Sequence, residues 1–180
     1  METQKALLLL NFKTRKPKFY NQIQLPLLDL FYIDRYNMIQ NERQYRITNS
    51  RLKEFQSAVL RLKSLPKPTD INGQLDYQAD LDSLESFIEE FQEDIAEYEN
   101  LKNGNVTSLS FDSFAKLPEA LIKARIVRGL TQEQLAEKLN VKPQQVQRDE
   151  SNGYASASFS KILGIQKALN IEVKEEIIFK

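Results

Sequence analysis

Leu130-Thr-Gln-Glu-Gln-Leu-Ala-Glu-Lys-Leu-Asn-Val-Lys-Pro-Gln-Gln-Val-Gln-Arg-Asp-Glu150 decides the fold. Thr131 and Gln134 stand at the Ser/Thr-x-x-Glu/Gln spacing of a capping box, in which each side chain satisfies a free backbone donor of the other residue. Leu130 and Leu135 stand at the spacing of a hydrophobic staple around that cap. The first helix therefore starts at residue 132. Ala136 is small on the face this helix buries, so a second helix can cross closely. Asn140 falls at the turn, where a positive φ is needed; Asn tolerates it best after Gly. Val141 is expected to plug the core, and Pro143 suits the first position of the next helix.

Within that second helix only Val146 is a clear inward apolar anchor. Gln144, Gln145, Gln147 and Arg148 are left to face outward. Gln can bond adenine N6 and N7 together, and Arg can bond guanine O6 and N7. The pattern is that of a helix-turn-helix whose second helix reads the major groove of double-stranded DNA.

The flanks complete a bundle. Pro118 suits a first helical turn, Leu121, Ile122, Ala124, Ile126 and Val127 give a broad apolar face, and Gly129 ends it. Ser156 or Ser158 can cap a last helix whose Phe159, Ile162, Leu163 and Leu169 close the core. Residues 171–180 are rich in β-branched residues and predict a short C-terminal strand.

Upstream, Arg43–Ile47 alternates polar and apolar residues and reads as extended, with Thr48 or Ser50 as a helix cap. Leu52, Phe55, Val59 and Leu62 then form one helical stripe, ended by Pro66 and Pro68, and Asn72-Gly73 reads as a turn. Tyr77, Leu81, Leu84, Ile88, Phe91, Ile95 and Tyr98 follow in alternating steps of four and three, a heptad seam suited to a helical partner or a dimer.

Charge is segregated. The chain carries 25 Lys and Arg against 25 Asp and Glu, yet residues 70–99 hold eleven acids and no base, and residues 41–67 hold seven bases and two acids. An acidic helix repels itself when isolated, so the basic helix before it is the expected partner in an antiparallel hairpin. A parallel dimeric coiled coil is the alternative and sets acidic flanks against each other.

With no Cys and no His in 180 residues, disulfides, thiolate nucleophiles and the commonest general base and metal ligand are excluded. No enzyme, metal site or cofactor is expected. No run reaches the roughly 20 apolar residues of a membrane span, and a cytoplasmic protein is expected. Residues 1–37 mix apolar runs with basic Lys13, Arg15, Lys16 and Lys18; an extension upstream of a start at Met38 and a docking arm are equally compatible with them. The expected organisation is mainly α: 1–37 extension or arm, 38–102 helical hairpin, 103–116 linker, 117–170 five-helix-type DNA-binding bundle, and 171–180 strand.

Residues 117–170 resemble the Xre/Cro-type helix-turn-helix domain of phage repressors and bacterial regulators. The likeness lies in Ala124-Arg-Ile-Val-Arg-Gly-Leu-Thr-Gln-Glu-Gln-Leu-Ala-Glu-Lys-Leu139 and Gln144-Gln-Val-Gln-Arg148. Residues 38–180 resemble HigA-like antitoxins on weaker motifs, Asn41-Glu-Arg-Gln-Tyr-Arg-Ile-Thr48 and Glu97-Tyr-Glu-Asn-Leu-Lys102. The resemblance implies a homodimeric regulator and a possible toxin partner. It implies that Gln132, capped in by Thr131, contacts a phosphate and supports the second helix. It further implies that Arg125 touches the DNA backbone or pairs with Glu150. By the same likeness Lys142, Pro143, Gln144, Gln145 and Arg148 line the groove, and Asn152 and Tyr154 lie in a phosphate-contacting loop. Two positions depart from the pattern. Lys142 replaces the usual Ser/Thr cap, and Asp149 stands where Tyr, Trp or Leu is common. An acid there is expected to weaken packing or repel phosphate.

Overall fold

A computed structural model of the chain describes residues 38–104, 106–174, 176 and 179; the expectations for residues 1–37 lie outside them. These residues are mainly helical. In chain order they form α1 (Glu42–Ser64), α2 (Ile71–Lys102), a 3₁₀ turn (Phe114–Lys116), α3 (Leu117–Val127), α4 (Gln132–Leu139), α5 (Pro143–Ser151) and α6 (Phe159–Leu169). Contacts divide the chain into two compact units. One contains Arg43–Ala96, the other Gln40–Glu42 and Glu97–Lys180.

In the first unit, α1 buries Phe55, Ala58, Val59 and Leu62. Glu42 in its first turn and Arg61 and Lys63 in its last match the sign of the helix dipole. These residues share a cluster with Tyr77, Leu84, Phe87 and Phe91 of α2, and Leu52, Leu81 and Ile88 pack against it. At its centre the Phe55 ring stands edge-on to Phe87 and Phe91, 5.3 Å from each. Lys63 reaches Glu85 at 2.8 Å. On the heptad seam Tyr77, Leu84, Phe91 and Tyr98 are buried, whereas Leu81, Ile88 and Ile95 are half-buried. Phe87 is buried beside the seam, because a straight helix of 3.6 residues per turn drifts from a 3.5-residue repeat.

Three local expectations change here. Arg43–Ile47 is helical, and Thr48 and Ser50 lie inside α1. Asn72-Gly73 is the first turn of α2, because the Asp70 carboxylate accepts from the Gly73 N–H at 2.8 Å. An acceptor at that spacing starts a helix.

In the second unit, α4 packs on α5 and α6, and α3 packs on α6. Leu121, Ile122, Leu135, Ala136, Val146, Ile165 and Leu169 form the buried apolar set, each at most 2% exposed. Helix ends follow one recipe. At the end of α3 the Gly129 N–H donates to Ile126 O and the Leu130 N–H to Arg125 O, with Gly129 at φ +66°. Asn140 (φ 54°) and Asn170 (φ 51°) close α4 and α6 in the same way. The left-handed residue lets the chain turn back on the last carbonyls. The start of α4 is a complete capping box: Thr131 Oγ1 accepts from the Gln134 N–H at 3.1 Å, and Gln134 Oε1 accepts from the Thr131 N–H at 2.8 Å. Thr131→Ala is expected to cost about 1 kcal/mol, read as a lowered thermal midpoint.

Residues 117–170 hold four α-helices rather than the five expected. Asn170 closes α6, and no helix follows among the described residues. The expected C-terminal strand is also not found among them. β-Branched residues favour a strand only where a neighbouring strand supplies the ladder, and the described residues offer none. Val141 (37% exposed), Phe159 (62%) and Leu163 (40%) are outside the core they were expected to fill. Ile165, on the inner face of α6, takes that place.

Candidate nucleic-acid interface

α4 and α5 are joined through Asn140, Val141 and Lys142, a turn short enough to hold α5 across α4. Pro143 opens α5, and Lys142 precedes it with no side-chain cap bond. α5 buries Val146, Asp149 and Glu150. Its opposite face exposes Gln144, Gln147, Arg148 and Ser151. Two of the three buried anchors are carboxylates, so the seat of this helix is electrostatic as much as apolar.

Glu150 is fully buried and Arg125 of α3 is 2% exposed. Arg125 Nε donates to Glu150 Oε1 at 2.6 Å and its NH2 to Oε2 at 2.7 Å, a forked pair of the strong type. NH1 donates to Leu130 O and NH2 also to Gln40 O, each at 2.8 Å. Gln132, the first residue of α4, donates from Nε2 to Glu150 Oε2 at 2.8 Å. Of the two roles implied for Arg125, the structure thus places it in the ion pair, out of reach of phosphate.

Gln40 and Asn41 join the site through contacts that the sequence does not signal. Gln40 Nε2 donates to Glu150 O at 3.2 Å, and Asn41 Nδ2 donates to Gln132 Oε1 at 3.3 Å. Their partners lie 110 and 91 positions away, and no local pattern signals them. Gln132 is thereby bonded at both ends of its amide.

Tyr154 was expected in a phosphate-contacting loop. Its side chain is instead buried, with the hydroxyl 3.5 Å from Glu150 Oε1. Its backbone, with Gly153, is left-handed (φ 56° and 61°), which swings the ring back under α5. Asn152 is exposed at the end of α5, its N–H donating to Arg148 O.

Burial, then the Glu150 carboxylate, push the Tyr154 hydroxyl above its usual 10.0. Unfolding exposes it, and it ionises near pH 10. Above that pH the unfolded chain binds fewer protons than the folded one. Stability therefore falls as pH rises past about 10, by about 1.4 kcal/mol per unit from this group. Thermal midpoints at about pH 9 and 11 should converge in Tyr154→Phe relative to the unsubstituted protein.

Asp149 departs from expectation. It is 4% exposed, ion-paired with Lys161 of α6, and accepts from Gln145 Nε2 at 3.0 and 3.1 Å. Its carboxylate is thus held between Lys161 and Gln145 on the buried face of α5. Gln145 Oε1 in turn accepts from Arg148 NH2 at 2.8 Å. A groove of about 640 Å³ lies alongside, lined by Asn140, Val141, Lys142, Gln145 and Lys161.

Of the sequence-predicted groove residues, Lys142, Gln144 and Arg148 are exposed, and Pro143 and Gln145 are half-buried. Thr131 serves the cap. Of the seam residues, Tyr77, Leu81, Leu84, Ile88 and Phe91 join the phenylalanine-centred cluster. Tyr98 is buried with its hydroxyl 3.2 Å from Glu42 Oε1. Among the described residues, no group of three or more His, Cys, Asp or Glu could hold a metal ion, and no helix is long and apolar enough to cross a membrane.

A sharply turned helix pair, with an anchored second helix presenting Gln and Arg outward, is a helix-turn-helix of the DNA-binding class. Residues 121–175 match the Helix-turn-helix family model, of the Xre-like type. No curated protein and no solved structure matches the chain.

Proposed function

We propose that this protein is a sequence-specific DNA-binding transcriptional regulator, a repressor that acts as a homodimer. The observation that carries the reading is the outward face of α5, where Gln144, Gln147 and Arg148 stand exposed on a helix held rigidly from behind. Laid in the major groove, this face supplies the side chains that bond base edges. A dimer would place two such helices about 34 Å apart, on half-sites one helical turn from each other. Lys142, Gln132 and Asn152 sit at the ends of α4 and α5, where phosphates flank the groove. The chain has no catalytic role in this reading, and the protein works in the cytoplasm beside the DNA.

The test is a fluorescence-anisotropy titration of the full chain on the DNA upstream of its own gene, at two salt concentrations. Salt-sensitive binding is expected, since neutralised phosphates release counterions. Arg148→Ala should weaken specific binding by roughly 5- to 150-fold, the equivalent of about 1–3 kcal/mol. Binding that ignores both salt and Arg148 overturns the reading.

A second, narrower reading is favoured by the acidic run of residues 70–99. α1 and α2 would act as an antiparallel hairpin for dimerisation or for a basic toxin partner, with the regulator repressing its own operon as a HigA-like antitoxin. In the extreme case, toxin neutralisation is the main task and DNA binding is weak. Co-purification of the neighbouring gene's product with the full chain supports this version. Its absence under co-expression removes it.

A further inference from the structure

A chain of polar contacts runs from Lys161 through Asp149 and Gln145 to the exposed Arg148. Asp149 accepts from the Lys161 ammonium and from Gln145 Nε2. Gln145 Oε1 accepts from Arg148 NH2 at 2.8 Å. The direction of this chain is dictated by chemistry. An ionised carboxylate only accepts hydrogen bonds, so the end of the Gln145 amide that faces it must be the NH2. The amide is planar, so its oxygen points the other way, toward a group that can only donate. Arg148 is such a group.

The consequence concerns base reading. A glutamine that recognises adenine uses both ends of its amide, the oxygen on N6–H and the nitrogen on N7. In this protein both ends of Gln145 are already committed within the fold. Arg148 keeps Nε, NH1 and the second NH2 hydrogen for the groove, enough for a forked edge, while Gln145 restrains its guanidinium plane. A long, rotamer-rich side chain restrained before binding loses less entropy when it binds, and the planar fork suits guanine O6 and N7.

We propose that Gln145 is a positioning residue and not a base reader: Asp149 and Lys161 fix its amide so that it aims Arg148 at a guanine. The operator then carries a guanine at the Arg148 base pair, and Gln145 adds no adenine preference of its own. Gln144, one position earlier and exposed, remains available to read a base directly. The specificity part rests on α5 entering the major groove, as proposed above; the side-chain chain itself does not.

Two measurements on the full-length protein test this. The first is selection from a randomised duplex library for the unsubstituted protein, Q145A, R148A and the double variant. The unsubstituted protein should enrich guanine at one base pair per half-site, and R148A should lose that preference. Q145A should weaken it at the same base pair by roughly tenfold, inside the range one bidentate contact supplies, and the double variant should match R148A. If Q145A instead removes an adenine at a different base pair, with effects that add to those of R148A, Gln145 is a direct reader and the proposal falls.

The second is NMR of the free protein, following solvent exchange of the Arg148 Nε proton and the Gln145 side-chain NH2. Exchange at Arg148 should quicken in Q145A, and exchange at the Gln145 NH2 should quicken in Asp149→Asn. Unchanged Arg148 exchange in Q145A overturns the positioning role. A library from which the unsubstituted protein enriches nothing overturns the DNA reading and the guanine assignment with it, while the NMR comparison still decides the side-chain chain.

Discussion

Replacing Glu150 by alanine is expected to destabilise the helix-turn-helix unit by about 3–5 kcal/mol, the cost of leaving a buried charge without its partner. The Arg125 side chain is 3% exposed, so water cannot take the place of the lost carboxylate. Two charge-assisted bonds to Arg125 disappear, along with the acceptor for Gln132 Nε2. A typical domain has only about 5–15 kcal/mol of stability in all, so the variant should sit near its unfolding threshold at room temperature. The physical cause is checkable by rescue. Arg125→Leu combined with Glu150→Leu leaves no charge behind and should recover part of the loss, because well-packed apolar replacements of buried ion pairs are often tolerated. Urea titrations of the single and double variants decide it. A single variant that loses under about 1 kcal/mol, or a double variant that is no better than the single, would contradict the idea of a stranded charge.

The same ion pair shows how far the sequence could be read. The cap of α4 and the turn at Asn140 were legible because their partners lie within four residues, where backbone geometry alone sets who meets whom. The stripe Leu52, Phe55, Val59 and Leu62 was legible because a helix repeats every 3.6 residues. Arg125 and Glu150, 25 positions apart, were linked only through the resemblance. Gln40 carries no periodic or motif signal, Asn41 only opens the weaker motif Asn41–Thr48, and the contacts of both exist only once the chain has returned to α4 and α5. The burial of Asp149 was not legible for a related reason. A helix of nine residues with one clear apolar anchor does not announce which of its polar side chains face inward. The answer depends on Lys161, twelve positions later in another helix. Val141, Phe159 and Leu163 were assigned to the core by residue type alone, and residue type is a poor guide where an alternative such as Ile165 fits the inner face. Among the described residues of 171–180 the β-propensity has no neighbouring strand to act on.

The division between local and long-range contacts bears on function. Local rules specify where α4 and α5 begin and end, but long-range polar contacts specify how α5 is held. Arg125, Gln132, Gln40 and Lys161 all converge on Asp149 or Glu150, the two adjacent acids at the inner face of α5. Among the described residues, every buried side-chain nitrogen and oxygen has a partner. A fully satisfied network of this kind gives rigidity, whereas a half-satisfied one costs more than an apolar core. Rigidity is what a reading helix needs, since side chains that already point correctly lose less entropy on binding.

Phe55→Ala is the second large effect, about 3–5 kcal/mol on the unit built from α1 and α2. Phe55 is 3% exposed, and its ring is the one that touches both Phe87 and Phe91 edge-on. Each such pair adds about 0.5–1.5 kcal/mol beyond area burial, and truncation removes both at once. It also leaves a cavity that Leu62 and Leu84, each fully buried, can close only by shifting helices already packed on either side. Leu60 supplies the contrast on the same helix: it is 70% exposed, and Leu60→Ala should change stability by no more than about 0.5 kcal/mol. Far-UV circular dichroism through a urea titration of each variant separates the two. Equal losses would mean that the phenylalanine cluster is not the core of this unit. A large loss confined to Phe55→Ala would place the stability of α1 and α2 in three aromatic rings rather than in the acidic and basic flanks, where a bridge such as Lys63–Glu85 has both side chains about half exposed and so contributes about 1 kcal/mol or less.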